Sequence, residues 1–83
     1  MKMEYRTEGT CSRRIFLELD GDTIRSVSFE GGCNGNLKGI GSLVAGMNRD
    51  EAITRLKDIR CGFKATSCPD QLAKALEESK RKQ

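Results

Sequence analysis

Four cysteines, at positions 11, 33, 61 and 68, are the residues of this 83-residue chain best suited to chemistry. A thiolate binds borderline and soft metals, attacks disulfides and forms them. The spacing C-x21-C-x27-C-x6-C contains no CxxC pair, so the signature of a zinc finger or ribbon is missing. There is no histidine. A tetrahedral metal site must therefore be all-sulfur or borrow a carboxylate, and a Ser/His/Asp set is excluded.

The elements that must position these thiols follow from the pattern of side chains. Residues 13–20 (RRIFLELD) and 23–30 (TIRSVSFE) are rich in β-branched and aromatic residues, and Asp20-Gly21-Asp22 supplies a hairpin turn between them. A shorter strand runs through Met3, Tyr5 and Thr7. The period then changes. Leu37, Ile40, Leu43, Val44 and Met47 recur at helical spacing, with Gly46 and Asn48 as stop signals. Asn48 with Glu51 three positions on marks the start of a second helix, whose buried face is Ala52, Ile53, Leu56 and Ile59. Pro69 suits the first position of a third helix, Asp70 complements its positive end, and Leu72, Ala73, Ala75, Leu76 and Ser79 form its inner face. The order predicts an α+β fold: a small antiparallel three-stranded sheet followed by three helices packed on one face. Residues 1–83 read as one domain, with 79–83 as a frayed basic tail.

On these elements every cysteine falls at an end: Cys11 in a turn leading into a strand, Cys33 just before the first helix, Cys61 where the second helix runs out, and Cys68 at the start of the third. None falls within an apolar stripe, where an inert buried cysteine would sit. Helix N-termini stabilise thiolate through unpaired N–H groups. A shared metal site is the favoured reading; reactive or redox-paired thiols and inert cysteines are the alternatives. Within Gly31-Gly32-Cys33-Asn34-Gly35-Asn36, the first two glycines let the strand turn sharply, Gly35 lets backbone pass close to a metal-bound sulfur, and Asn34 or Asn36 caps the helix. The stretch lacks the lysine spacing of a phosphate loop, and Gly39-Ile40-Gly41 is followed by Val44 where a dinucleotide fingerprint needs glycine. Asp20 and Asp22 read as turn formers, not paired catalytic acids.

Bulk properties set outer bounds. A third of the chain is charged, and it contains three Phe, one Tyr and no Trp. So small and polar a domain gains from a metal or disulfide staple. The opening residues MKMEYRTEG carry no apolar leader, and no segment is long enough to span a bilayer, so the expectation is a cytoplasmic chain with reduced thiols and no membrane partner. Net charge is +3, and the basic runs Arg13-Arg14 and Lys80-Arg81-Lys82 are not interleaved with aromatics, which gives nucleic-acid or nucleotide binding little support.

The run Thr66-Ser67-Cys68-Pro69-Asp70, together with TCS at 10–12, FEGGCNGNLKGI at 29–40, LVAGM at 43–47 and IRCG at 59–62, resembles the TSCPD domain family over nearly the whole chain. That family is similar to a module at the C-terminus of adenosylcobalamin-dependent ribonucleotide reductases. The resemblance implies an accessory role toward a ribonucleotide reductase and a link to DNA synthesis. The activity could be holding metal (zinc, or less favoured an iron–sulfur cluster), relaying thiol electrons, or binding nucleotide or nucleic acid. The chain lacks the length for a catalytic barrel, a cobalamin site and a radical cysteine, so it cannot reduce a nucleotide alone. A more distant resemblance is to U-type iron–sulfur assembly scaffolds, whose three cysteines match Cys11, Cys33 and Cys68. Cys61 would then be a fourth metal ligand. Those scaffolds follow their first cysteine with Gly-Asp, whereas here Cys11 is followed by Ser12-Arg13. A closed four-thiolate site of this kind implies a structural metal more than cluster transfer.

Overall fold

A computed structural model describes residues 1–10, 12–32, 34–59 and 66–82, with every side chain among them except those of Asn34 and Lys82. The elements run β1 (Lys2–Arg6), β2 (Ser12–Asp20), β3 (Thr23–Gly31), α1 (Asn34–Val44), α2 (Arg49–Leu56) and α3 (Cys68–Lys82). The three strands form one antiparallel sheet in the order β1-β2-β3. It is the α+β arrangement that the side-chain pattern predicts.

Alternation gives the sheet two unlike faces. Met3, Leu17 and Val27 lie opposite one another across the strands, as do Tyr5, Ile15 and Phe29, and all belong to or border the core. The outer face carries ion pairs instead: Lys2–Glu18, and Arg14 with both Glu4 and Glu30. At the hairpin, Gly21 takes the left-handed φ of 59° that a side chain would resist. Gly31 and Gly32 each take a φ of 80°, so the strand turns sharply there as expected.

Register shifts interrupt the alternation at two points. Ser12 pairs with Gly31 while Arg14 pairs with Glu30, which leaves Arg13 as an extra residue. Counting back from buried Ile15 by twos would put Arg13 inside. The bulge reverses this: Ser12 is buried at 3% exposure and Arg13 faces solvent. The second shift lies between Glu18 and Leu19, and it likewise keeps Ile24 inside and Arg25 out.

The helices cover the inner face. α1 lies against β3 at unusually close range, because Gly41 presents no side chain: a Cβ there would stand 2.6 Å from the Val27 carbonyl oxygen. α2 begins at the expected cap, with Asn48 Oδ1 accepting from the Asp50 and Glu51 N–H groups at 2.9 and 3.2 Å. α3 is the most deeply set helix; Leu72, Ala73, Ala75, Leu76 and Ser79 are all fully buried.

Five expectations need correction. Leu43 is 77% exposed and Ile59 42% exposed, so neither belongs to a buried helical face. α1 ends at Val44, and among the described residues nothing covers the flank on which Leu43 sits; α2 ends at Leu56 before reaching Ile59. Pro69 is the second residue of α3, not the first, and Asn36 lies within α1 and does not cap it. Residues 79–82 are not a frayed tail: Ser79 is buried, its hydroxyl donates to the Leu76 carbonyl, and Lys80 pairs with Asp50 at 2.7 Å. Arg49 completes this end of the molecule. Its buried guanidinium joins Asp22 of the hairpin at 3.0 Å to Ser79 at 3.3 Å.

Candidate metal centre

Cys68, first residue of α3, is 7% exposed, and its Sγ lies 3.3 Å from the Ser12 hydroxyl. That contact depends on the bulge at Arg13, which aims Ser12 inward. Cys11, Cys33 and Cys61, the other predicted ligands, lie outside the described residues. Among the described residues no group of three or more His, Cys, Asp or Glu side chains is placed to hold a metal, Cys68 being the one candidate thiol among them.

What the structure does place is the chain on either side of each cysteine. Next to Cys11, Thr10 Oγ1 lies 3.2 Å from Ser12 Oγ, and Ser12 is in contact with Cys68. Gly9 passes so near residue 66 that a Cβ on it would be 3.1 Å from Thr66 Cγ2. Two residues before Cys33, Gly31 is the cross-strand partner of Ser12. Two residues before Cys61, the Ile59 carbonyl accepts the Ser67 hydroxyl, next to Cys68. The flanks of all four cysteines thus meet the segment that opens α3 or its immediate neighbour Ser12.

The segment Thr66–Gln71 is a buried polar knot that produces this convergence. Ser67 caps α3, its Oγ accepting the Asp70 N–H at 3.1 Å while it donates to Ile59. The Asp70 carboxylate is 4% exposed; Oδ1 accepts the Asp58 N–H at 2.7 Å, and Oδ2 accepts the Thr66 hydroxyl. Gln71 Nε2 donates to Thr66 Oγ1 at 3.0 Å, and its Oε1 accepts the Glu8 N–H at 3.0 Å. Asp58 is held at a φ of 65°, which a non-glycine residue rarely adopts and which the bond from Asp70 helps to secure. Burial pushes the Asp70 carboxyl up, but the Thr66 and Asp58 hydrogen bonds and the Lys74 ammonium at 3.5 Å outweigh it and hold the group below the usual carboxylate range.

Composition and spacing connect Asp70 only with the helix dipole and point to no role for Ser12, Thr66, Ser67 or Gln71. One signal was present: Ser67 stands three positions before an acid at a helix start, which is a capping pattern. The partners of Asp70 and Gln71 lie 12 and 63 residues away and leave no local trace.

Compared with protein-family models, residues 2–80 match that of the TSCPD domain. No curated protein and no solved structure matches the chain. These comparisons do not show the likeness to U-type scaffolds. Among the described residues no helix is long and apolar enough to cross a membrane.

Proposed function

The chain belongs to the TSCPD domain family, and we propose that within it Cys11, Cys33, Cys61 and Cys68 together hold one zinc ion in a small metal-binding accessory module. The observation that carries this reading is the knot around Cys68. Partly buried hydrogen bonds that Ser67, Asp70 and Gln71 make with Ile59, Asp58 and Glu8 tie the segments leading to Cys61 and Cys11 onto the start of α3, and Ser12 links that point to the strand leading to Cys33. A domain of this size gains little by burying so many polar groups unless the loops they fix have a common purpose.

The residues fit the metal. Cys68 Sγ stands at the N-terminus of a 15-residue helix, where the dipole favours thiolate, and the Ser12 hydroxyl at 3.3 Å would donate to that sulfur once it is a thiolate. In the absence of histidine, four cysteines match the Cys₄ donor set of structural zinc sites. Bound there, zinc would cross-link the loops and leave no open coordination position, so its contribution is to folding and not to catalysis. The chain's own part is to hold Cys68 in place, shield it from water and supply the hydrogen bond to its sulfur. A ribonucleotide reductase is the partner that the family's likeness nominates, with the module as an accessory to deoxyribonucleotide supply.

Elemental analysis of protein purified without added metal tests the proposal. About one zinc per chain is expected for a Cys₄ site. Metal near zero in a folded protein removes it, and visible absorption with iron in place of zinc would redirect it to an iron–sulfur cluster.

A further inference from the structure

At the end of the sheet where β1 stops and β2 begins, a cleft of about 510 Å³ is lined by Arg6, Arg13 and Arg14, the hydroxyl-bearing Thr7, Thr10 and Ser12, and Glu30. Its charge is unbalanced: three guanidinium groups face one carboxylate. Arg6 and Arg14 are directly opposed across the β1–β2 ladder, an arrangement of like charges that costs stability. Glu4 at 3.4 Å and Glu30 at 3.2 Å both engage Arg14. Among the described residues neither Arg6 nor Arg13 has a carboxylate partner. Arg13 reaches solvent at this edge only because it is the bulged residue, and bulges recur where a side chain is re-aimed for use.

We propose that this cleft binds the dianionic phosphate group of a small phosphomonoester, with Arg6 and Arg13 as its principal ligands. Two exposed guanidinium forks on separate strands match phosphate oxygens bidentately and do so better than they match a single carboxylate. A small ligand is favoured over a nucleic-acid strand because the positive charge stops at the cleft. Beyond it, the outer face of the sheet carries the Lys2–Glu18 pair and Glu4, so among the described residues no basic track leads away for a polymer backbone to follow. Filling the cleft would place negative charge beside Arg6, whose cross-strand neighbour Arg14 is already offset by Glu4 and Glu30. The proposal does not rest on the metal site.

Titration of the purified protein at low ionic strength, followed by amide chemical shifts, tests it with four probes: inorganic phosphate, a nucleoside monophosphate, acetate and a short single-stranded oligonucleotide. Saturable shifts at Thr7, Thr10, Ser12 and Arg14 are expected with both phosphate probes, and none with acetate. The double variant Arg6→Gln/Arg13→Gln should weaken phosphate binding at least about tenfold, since it removes both charge-assisted forks. Both side chains are exposed, so its melting should match the parent. If the double variant melts early, the single Arg13→Gln variant should still show part of the loss. Absence of saturation, equal affinity in the variants, equal response to acetate, or saturation by the oligonucleotide alone would each overturn the proposal.

Discussion

Replacing Asp70 by Asn keeps the shape of the side chain and removes its charge, which isolates what the carboxylate does for the knot. In the parent, one oxygen accepts the Asp58 N–H at 2.7 Å and the other accepts the Thr66 hydroxyl, both at a site 4% exposed. An amide offers one acceptor and presents an NH₂ where the second stood, so one of those two donors faces another donor. Thr66 has little room to adapt, because its oxygen already accepts from Gln71 Nε2. Hydrogen bonds to a buried charged group contribute about 1.5–3 kcal/mol, so the loss of one, with partial retention of the other, comes to about 2 kcal/mol. The Lys74 partner is half exposed and adds little. For a domain of this size, about 2 kcal/mol corresponds to a fall in Tm of roughly 8–16 °C. The sign of the pH dependence is set by the depressed pKa of Asp70. A carboxyl whose folded pKa lies below the unfolded value of about 3.9 contributes its full stability above that value and loses it as pH falls through the folded pKa. Urea denaturation of Asp70→Asn and the parent, followed by circular dichroism from pH 7 downward, should show a wide gap near neutrality that narrows below about pH 4. Equal stability at pH 7, or a gap that persists unchanged into strong acid, would refute the reasoning.

Three further outcomes are expected. Gly41→Ala should destabilise the fold by about 1–3 kcal/mol, because its Cβ would meet the Val27 carbonyl oxygen at 2.6 Å. Gly39→Ala on the same helix, with nothing within 4 Å, should gain up to about 1 kcal/mol. Urea midpoints that move together for the two variants would contradict the close approach of α1 to β3. Arg49→Ala should cost about 2 kcal/mol through lost bonds to Asp22 and Ser79 and lost packing; a thermal melt like the parent's would show that the buried guanidinium is dispensable. Ser12→Ala should leave the sheet intact but loosen metal about tenfold, as loss of a partner hydrogen-bonded to a ligand does. Competition with a chromophoric chelator measures this, and unchanged affinity would remove Ser12 from the site's support.

Much of the fold was legible because local signals agree with tertiary demand. Alternating Ile15, Leu17 and Leu19, the Asp20-Gly21-Asp22 turn and the Asn48 cap each predict an element that the structure contains. Leu43 misled because it stands beside Val44 on a plausible apolar arc, yet it is 77% exposed because no neighbouring element among the described residues covers it. Ile59 misled because the chain leaves the helix at Lys57, with a ψ of 150°, and then takes the left-handed turn at Asp58, whose support comes from Asp70. The placement of Cys68 at the start of α3 was readable, whereas α2 ends at Leu56 and does not run on to Cys61 as the apolar spacing suggests. The reason Cys68 is fixed where it is was not readable. It depends on a bulge at Arg13 and on hydrogen bonds spanning up to 63 residues, and neither leaves a periodic signature in composition or spacing.

The central claim, that four thiols share one metal, is tested most directly by titrating the native protein with a mercurial reagent while following zinc release with a metallochromic dye. The account predicts that zinc leaves in step with thiol modification, about one ion for every four thiols, and that alkylating agents do not modify the cysteines before the metal is removed. Immediate reaction of the thiols with no zinc released from folded protein would contradict it.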